Sequence, residues 1–363
     1  MIGQIIDWNL GEILAVYKQW DEIEDINHKY VSICDEILYC NLYGTVFTFA
    51  VANIGNCEIE DNVIIRISES GKIYQYLSAN PEEVDIFITN KCNSNCIMCP
   101  VPESIRRQEQ SNTSVFNKQL IEALPDNIGY INITGGEPTL AKDEFFDILH
   151  RIVDKFKKSD FQLLTNGRSF SIGQILNRTM EILPKGTRIA IPIHSSDENI
   201  HDMITRAKGS FRQTDMGIKN LLLHKQNVEI RIVVSKANVD SIVSTAEYIA
   251  REYSGLLCVN FIAMEMTGNA AVNREYLWID YDEAFGRIRE AIDILVSSGI
   301  DVQLYNFPLC AVDRGYWSIA AKSISDYKIR YMLECDECKV KNICGGFFAS
   351  TKQVMNPRIK PVR

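Results

Sequence analysis

The sequence predicts an α/β fold: a partial (β/α)6 TIM-like barrel with a small β-rich N-terminal domain and a C-terminal auxiliary domain that contains cysteines. Two patterns predict the barrel, namely six short apolar runs between residues 84 and 264 and amphipathic stretches between those runs. Strands that alternate with helices form parallel sheets, curved or closed into barrels. We expect the N-terminal domain at 1–80, the barrel at 81–275, and a linker helix with the auxiliary domain at 276–363.

The N-terminal region is β-rich. Residues 44–51, 62–67 and 72–76 contain many β-forming residues, and a turn precedes the last of these runs. We consider two roles for this domain: docking a peptide partner, which could add a strand to an exposed sheet edge, or capping the barrel. Its three scattered cysteines are expected to be ordinary small apolar residues. These are Cys34, Cys40 and Cys57.

The barrel elements follow in order. The strand candidates are 84–89, 130–134, 161–165, 188–193, 228–234 and 259–264. Helical patterns place apolar residues on one face over 143–157, 211–225, 240–253 and 281–298, and a further strand is expected at 301–305. In such folds the chemistry gathers where strands end and loops meet helix N-termini. The residues after each strand are therefore the candidates for function.

Three cysteines follow the first strand candidate: Cys92, Cys96 and Cys99, at spacings of four and three. Three thiolates can hold three irons of a cubane 4Fe-4S cluster, whose usual complement of protein ligands is four. The fourth iron would remain open to a ligand that is not protein. The alternatives are a structural zinc site and scattered core cysteines. A zinc site needs a fourth Cys or His nearby, and none occurs between Val101 and Gly136.

The second strand candidate is followed by Gly135, Gly136, Glu137 and Pro138. Paired glycines allow the backbone to approach a ligand closely, and Glu137 supplies a carboxylate for a ligand ammonium group. Seen alone, these four residues are equally well explained as a turn.

The three-cysteine loop followed by the Gly-Gly-Glu-Pro segment resembles the radical S-adenosylmethionine (SAM) superfamily. The resemblance implies that the open iron chelates the amino and carboxylate groups of SAM and that residues 135–138 bind its methionine part. It also implies SAM contacts from polar strand ends. Thr165 and Asn166 form one such end, and Ser195 and Arg206 match residues that contact the SAM carboxylate or ribose.

Two further residue types at strand ends have open interpretations. Met264 and Met266 either flank the adenine ring of SAM or pack in the core. His194 either contacts substrate or acts as an acid or base, or it merely bonds a loop carbonyl group.

A second group of cysteines lies near the C-terminus: Cys310, Cys335, Cys338 and Cys344. Four thiolates saturate one 4Fe-4S cluster, and a four-cysteine zinc site is the alternative. The group resembles the auxiliary-cluster domains of radical SAM maturases, called SPASM with two clusters and twitch with one. Phe347 and Phe348 stand where the longer form carries another cysteine, so the resemblance implies one auxiliary 4Fe-4S cluster. The remaining Cys258 is expected in the core.

Several stretches outside these motifs resemble one subfamily, the His-Xaa-Ser system radical SAM maturases (HxsC). They are residues 265–268, 277–280, 305–310, 323–327 and 344–350. The resemblance implies reductive cleavage of SAM to a 5′-deoxyadenosyl radical and modification of a ribosomally made peptide with His-Xaa-Ser repeats, by oxidative cross-linking. The implied partners are that precursor peptide, a second radical SAM maturase (HxsB), a small partner protein (HxsD) and a flavodoxin- or ferredoxin-like electron donor.

Composition narrows the remaining choices. A net charge of −9 argues against a general nucleic-acid-binding surface. We expect no signal peptide and no membrane span, and eleven cysteines without an export signal indicate the cytoplasm. The alternatives left open are a radical SAM enzyme acting on a small molecule or RNA, an enzyme that puts a glycyl radical on a partner protein, and a non-catalytic zinc-stabilised scaffold.

Overall fold

A computed structural model of the chain describes residues 1–19, 28–34, 36–52, 59–107 and 113–363. The chain divides into two compact units. Unit 1 comprises Met1–Thr89, Gln110–Thr134 and Ala141–Phe161, and unit 2 comprises Asn90–Glu109, Gly135–Leu140 and Gln162–Arg363.

The first sheet, in unit 1, is a closed barrel with the strand order β1-β5-β4-β3-β2-β6-β7. Its strands are β1 (Gly3–Ile5), β2 (Ile13–Tyr17), β3 (Lys29–Cys34), β4 (Ile37–Leu42), β5 (Thr45–Ala52), β6 (Ile64–Ile67) and β7 (Lys72–Leu77). The predicted β-rich N-terminal domain is confirmed in this form. Closure of a barrel removes the free sheet edges, so the described strands of this barrel offer no free edge to a peptide strand; the choice between docking and capping stays open.

Alternation along the strands fills this barrel with apolar side chains. Ile13, Ala15 and Tyr17 of β2 are buried in one cluster, together with Val31 of β3 and Cys40 of β4. Successive strand residues point to opposite faces, so every second residue of β2 faces the interior. Cys40 is thus a small apolar core residue, Cys34 is exposed, and Cys57 lies outside the described residues.

The larger sheet has eight strands, and their order in the sheet is their order in the chain. The strands are β8 (Glu83–Phe87), β9 (Tyr130–Thr134), β10 (Asp160–Leu164), β11 (Arg188–Pro192), β12 (Asn227–Val234), β13 (Cys258–Ala263), β14 (Val302–Tyr305) and β15 (Ala320–Ala321). Pairing is parallel between β8 and β9 and from β10 through β15. This sheet confirms the predicted α/β class and fits a partial TIM-like barrel.

Most of the α-helices lie between strands of this sheet, and the last one follows β15. They are α1 (Glu103–Arg106), α2 (Thr113–Ala123), α3 (Asp143–Lys155), α4 (Gly173–Ile182), α5 (Glu198–Thr205), α6 (Ser210–Leu223), α7 (Ile242–Glu252), α8 (Gly268–Val272), α9 (Arg274–Leu277), α10 (Tyr281–Ser297) and α11 (Ala349–Val354). Near the C-terminus, β16 (Ile329–Arg330) pairs with β17 (Phe347–Phe348). None of the described helices is long and apolar enough to cross a membrane.

The predicted barrel strands all lie within two residues of the observed bounds. Cys258 opens β13 and is buried, as expected. Strands β1 to β4 were not predicted; they are only three to six residues long.

Candidate active site and auxiliary cysteine site

The loop that carries Cys92, Cys96 and Cys99 brings the three thiol groups together in unit 2. All three side chains are half-buried. Burial is the main cause that raises the pKa of Cys92 and Cys96, the latter to about 12, and the nearby Cys99 contributes to both shifts. A metal must therefore displace protons to bind these sulfurs as thiolates.

The cysteine loop is bonded to the end of α5. The backbone N–H of Asn95 donates to the carbonyl oxygen of Thr205 at 2.8 Å, and that of Ile97 donates to Ile204 at 2.9 Å. These bonds act like a short strand pairing and hold the loop between its first and last cysteines.

Two arginines hold the same loop by their side chains. Arg106 donates to the carbonyl oxygens of Ser94 and Val101 at 2.9 and 3.1 Å. Arg168 donates to the carbonyl oxygen of Asn93 and to the hydroxyl of Ser94. Neither arginine was predicted to hold this loop, because each lies far from some of its partners in the chain and no local motif fixes those separations.

Helices α8 and α9 hold the cysteine loop by main-chain and amide bonds. Asn269 donates its backbone N–H to the carbonyl oxygen of Cys99 and its side-chain amide to that of Cys96, both at 2.9 Å. The amide of Asn273 donates to Ile97 at 2.8 Å. Just before them, Gly268 has φ +53°, and a Cβ atom there would lie 2.3 Å from the carbonyl oxygen of Pro100. This close contact explains why residue 268 is a glycine. From the sequence, residues 265–268 were noted only for their resemblance to the subfamily.

The Gly-Gly-Glu-Pro segment packs on the start of the cysteine loop. A Cβ atom on Gly136 would lie 2.5 Å from the carbonyl oxygens of both Asn90 and Lys91. The backbone N–H of Glu137 donates to Lys91 at 2.7 Å. The glycine is therefore needed for the approach of two protein segments, whereas the sequence suggested the approach of a ligand.

Glu137 is fully buried, and both of its carboxylate oxygens accept bonds from the chain. Oε1 accepts from the hydroxyls of Thr139 and Thr165 at 2.6 and 2.8 Å, and Oε2 accepts from the backbone N–H of Asn166 at 2.7 Å. Burial raises the pKa of this carboxyl group. These bonds give Glu137 a positioning role at the end of β10, and its role as a ligand for an ammonium group stays a prediction.

Asn166 links this network to the cysteine loop. Its side-chain amide donates to the side-chain oxygen of Asn93 at 2.6 Å. Thr165 and Asn166, two of the candidate SAM contacts, are thus tied to Glu137, which follows Gly135 and Gly136 and precedes Pro138. The structure places these six candidates beside the three cysteines.

The remaining SAM candidates fall into different settings. Ser195 is fully buried; its hydroxyl donates to Ser241 at 2.9 Å and accepts from the backbone N–H of Asp197 at 3.0 Å. It therefore shapes the turn before α5. Arg206 has φ +49° and lines an open cleft of about 310 Å³ with Cys92, Arg106 and Arg107.

Met264 and Met266 are buried in one cluster with Ile97 and Met98 of the cysteine loop. Their burial agrees with core packing, one of the two interpretations. Both methionines pack against apolar residues of the cysteine loop.

His194 is also buried, and its ring lies 5.4 Å from that of His201 between centroids. Its carbonyl oxygen accepts from Asn238 at 2.9 Å, and its backbone N–H donates to the His201 ring. Burial lowers the pKa of His194 to about 3 and that of His201 to about 4. Both rings are therefore neutral near pH 7.

The four C-terminal cysteines lie around one small cavity, also in unit 2. Cys310, Cys335, Cys338 and Cys344 line it together with Tyr331, Ile359 and Pro361. Burial raises the pKa of Cys310 to about 11, and the other three thiols add to the shift. The backbone N–H groups of Leu309 and Gly346 both donate to the sulfur of Cys344 at 3.4 Å.

The donor sets fit iron–sulfur clusters. Within the described ranges, no three His, Cys, Asp or Glu side chains are grouped so that they could hold a single metal ion. In a cubane cluster each thiolate binds its own iron, so the sulfurs stand around the cluster and need not converge on one ion.

Comparisons with known proteins agree with this chemistry. Residues 86–249 match the family model of the Radical SAM superfamily. Among curated proteins, the GTP 3′,8-cyclase of Clostridium botulinum (strain Okra / Type B1) is 25% identical over 229 residues, which cover 61% of this chain and 68% of that protein. The GTP 3′,8-cyclase of Microcystis aeruginosa is 27% identical over 219 residues, which cover 56% and 62% of the two chains.

Two solved structures illustrate the structural neighbours. Streptococcus suis SuiB bound to precursor peptide SuiA matches with a TM-score of 0.49 and 16% identity, covering 63% of this chain and 49% of that chain. A radical SAM methyltransferase from Sphaerobacter thermophilus matches with a TM-score of 0.45 and 15% identity, covering 67% and 73%. The match thus spans about half of the SuiB chain.

Proposed function

The chain carries a radical SAM domain, and from this premise we propose that it is an enzyme that modifies a ribosomally made peptide. Cys92, Cys96 and Cys99 would hold a 4Fe-4S cluster that binds SAM. The observation that carries this proposal is the single loop with three neighbouring half-buried thiols, bonded to the chain on several sides. When bound, the cluster and SAM supply a 5′-deoxyadenosyl radical, which abstracts hydrogen from unactivated C–H bonds.

The chain's own residues hold the cysteine loop in a fixed position. Arg106, Asn269 and Asn273 bond the carbonyl groups of the cysteine loop, and Glu137 fixes the neighbouring strand end. A site whose side chains are locked by a surrounding shell holds its reactants in the productive geometry. These residues act through the cysteine loop and are positioning residues.

The second cysteine group supports an oxidative reaction on a peptide. Its resemblance to the auxiliary-cluster domains of maturases suggests one further 4Fe-4S cluster on Cys310, Cys335, Cys338 and Cys344. Four thiolates would leave that cluster no open iron, and when bound it would supply an acceptor for the one electron that an oxidative cross-link releases. If Cys310 were not a ligand, direct binding of substrate to the open iron would be favoured.

The partners belong to the same proposal. The subfamily resemblance suggests a precursor peptide with His-Xaa-Ser repeats, a second maturase, a small partner protein and a flavodoxin- or ferredoxin-like donor in the cytoplasm. The N-terminal β-barrel would dock the peptide or one of these proteins through side chains on its surface.

A second candidate is a radical SAM enzyme that acts on a small molecule. The sequence match to GTP 3′,8-cyclases over 229 residues favours it. Both candidates share the cleavage of SAM and differ only in the substrate.

The test is SAM cleavage by the anaerobically reconstituted full-length chain with dithionite, measured as 5′-deoxyadenosine. We expect Cys96→Ala to abolish cleavage, because the cluster loses one of three ligands, and the matched control Cys258→Ala, a buried thiol of β13, to retain it. Cleavage that persists in Cys96→Ala would refute the cluster assignment.

A product assay separates the candidates. The peptide proposal expects a mass loss of two hydrogens per cross-link on a His-Xaa-Ser peptide, and Cys338→Ala should keep SAM cleavage but lose this product. Conversion of GTP with an unchanged peptide would support the small-molecule enzyme instead.

A further inference from the structure

The sheet strands of unit 2 have two contrasting faces. One set of alternating residues is apolar and fully buried, including Ile189, Ile230 and Phe261. This is the face that a sheet needs for packing against helices, and α6 contacts β12 while α10 contacts β13. The other set, on the opposite face, is polar along four neighbouring strands. Its members are Gln162 of β10, Arg188 of β11, Glu229 and Arg231 of β12, and Asn260 of β13.

The strand register places these polar residues side by side. Gln162 pairs with Arg188, and Arg231 pairs with Asn260. Glu229 pairs with Ala190, two residues after Arg188 and therefore on the same face. In a filled barrel this interior face would carry large apolar side chains. Here it carries a charged cluster.

The centre of the cluster is a buried carboxylate between two arginines. Glu229 has no exposed side-chain area, and it accepts from Nη1 of Arg188 at 3.1 Å and from Nε of Arg231 at 2.6 Å. Arg231 also donates from Nη2 to Gln162 at 3.1 Å. The cluster thus combines two guanidinium groups with one buried carboxylate. Removing such charges from water costs several kcal/mol per ion, so stability alone is a weak reason for them.

The arginines reach accessible space although their partner does not. The side chain of Arg188 is 36% exposed and that of Arg231 is 21% exposed. Glu229 and Gln162 hold the planar guanidinium group of Arg231 in place. A guanidinium group fixed in this way suits the geometry of carboxylate and phosphate groups.

Asn260 supplies an independent observation. It is fully buried next to Arg231, and within the described part of the chain neither its amide nitrogen nor its oxygen has a hydrogen-bond partner. A buried polar group without a partner is destabilising. A partner from outside the chain is therefore expected on this face.

The cluster lies below the candidate active site. Arg231 precedes the last residue of β12 by three positions, and Asn260 precedes the last residue of β13 by three positions. At roughly 3.3 Å per residue the cluster is about 10 Å below the strand ends. Candidate SAM contacts such as Thr165 and Ser195 follow the carboxyl ends of β10 and β11, the same edge of the sheet from which this distance is counted.

We propose that Arg231, Asn260 and Arg188 form an anion-binding subsite that anchors the substrate by a carboxylate or phosphate group. The identity of the anchored molecule as substrate rests on the proposed function. Two sources share this chemistry: an acidic side chain of a peptide, and a phosphate of a nucleotide. Glu229 fixes the positions of the two arginines by bonding both of them. The Asn260 amide pairs with a donor or acceptor group of the ligand beside the anionic group.

The test is binding of two probes to the full-length chain by isothermal titration calorimetry, with and without reconstituted clusters. The probes are acetyl-Gly-Glu-Gly-amide and GTP, and acetyl-Gly-Gln-Gly-amide is the uncharged comparison. We expect one charged probe to bind and the uncharged peptide to bind at least tenfold more weakly. Whichever probe binds identifies the source of the anion.

Variants connect the binding to the cluster. Arg231→Gln and Asn260→Leu should each raise the Kd at least tenfold, while Arg178→Gln, an exposed arginine of α4, should leave it unchanged. Arg231→Lys keeps the positive charge but lacks the planar guanidinium group. It replaces Arg231→Gln in the binding experiment if that variant does not fold. Circular dichroism and the thermal midpoint report folding for every variant.

Two outcomes would overturn the proposal. One is binding of neither probe to the wild-type chain, or equal binding in Arg231→Gln. The other is a more stable Asn260→Leu protein with unchanged affinity, which would mean that Asn260 holds an ordered water only. Because binding is measured also without clusters, failure of this proposal is distinct from failure of SAM cleavage.

Discussion

Glu137 illustrates how single residues contribute to the site through their surroundings. Its carboxylate is enclosed and accepts bonds from Thr139, Thr165 and Asn166. A carboxylate with ionised oxygens is an acceptor only, and every donor around it belongs to the chain. Ser195 is likewise bonded within the chain: its hydroxyl donates to Ser241 and accepts from the backbone N–H of Asp197.

A Glu137→Gln substitution tests this role. The amide nitrogen would face donors, so one buried bond is lost and a donor is left unpaired; we expect a loss of about 2 kcal/mol in the free energy of unfolding. Urea denaturation measures it. Glu181→Gln, at an exposed position, is the control and should change little. Equal stability of the two variants would contradict the positioning role.

These residue roles explain why the candidate site was only partly predictable. Spacing alone grouped the cysteines, because the three that follow one strand candidate stand within eight residues. Burial is a property of the whole fold, so the enclosure of Glu137 and Ser195 had no local signal. Asn269 and Asn273 bond a loop more than 170 residues away in the chain, as the separations of 173 and 176 residues show.

At the scale of elements, the cysteine loop is held between the end of α5 and the start of α8. Main-chain bonds from Asn95 and Ile97 join it to α5, and Asn269 joins it to α8. Gly268 allows α8 to begin against the backbone of Cys99 and Pro100. The loop therefore depends on two elements that follow it far along the chain.

Gly268→Ala tests that dependence. The new Cβ would meet a carbonyl oxygen at 2.3 Å with the backbone at φ +53°, so α8 and the loop must separate. We expect lower iron content after reconstitution and a lower thermal midpoint. Gly286→Ala is the matched control, because that glycine lies inside α10 with open space around it; alanine there should stabilise by up to about 1 kcal/mol. Full iron loading in Gly268→Ala would contradict the account.

A second prediction at this scale concerns the histidine pair between β11 and α5. Burial lowers the pKa of His194 to about 3 and of His201 to about 4 from an ordinary value of 6.5, against the opposing effect of Asp202 on His201. The unfolded chain then binds protons that the folded chain does not. This stability is full above pH 6.5 and falls as the pH drops toward 4.

His194→Gln should reduce this pH dependence by up to about 1.4 kcal/mol per pH unit, because one fewer group takes up a proton on unfolding. Urea midpoints measured at several values between pH 4.5 and 7.5 give the slope. The exposed His224→Gln variant should keep the wild-type slope. An unchanged slope in His194→Gln would show that this histidine is not held neutral by the fold.

The elements differ in how well the sequence predicts them. The barrel strands were predictable within two residues because each is a compact apolar run between turn-forming residues. β1 has only three residues and β15 only two, too short for any period to show. Closure of the N-terminal barrel depends on the pairing of β1 with β7, a contact between distant strands that composition does not encode.

At the scale of the whole molecule, one chain combines a closed N-terminal β-barrel, a radical SAM domain over residues 86–249, and a C-terminal group of four cysteines. The two cysteine groups differ in the number of thiols that each offers, three in the first and four in the second. Three ligands leave an iron open for SAM, and four ligands leave none. We therefore propose one cluster that reacts with SAM and a second cluster that only transfers electrons.

Iron and acid-labile sulfide per chain, with the EPR spectrum of the reduced protein, test this claim most directly. The account predicts about eight of each per chain after anaerobic reconstitution, and about four of each in a protein with Cys92, Cys96 and Cys99 all changed to Ala. SAM should alter the EPR signal of the wild-type protein and leave that of the triple variant unchanged. About four irons in the wild type, with zinc bound as well, would contradict the two-cluster account.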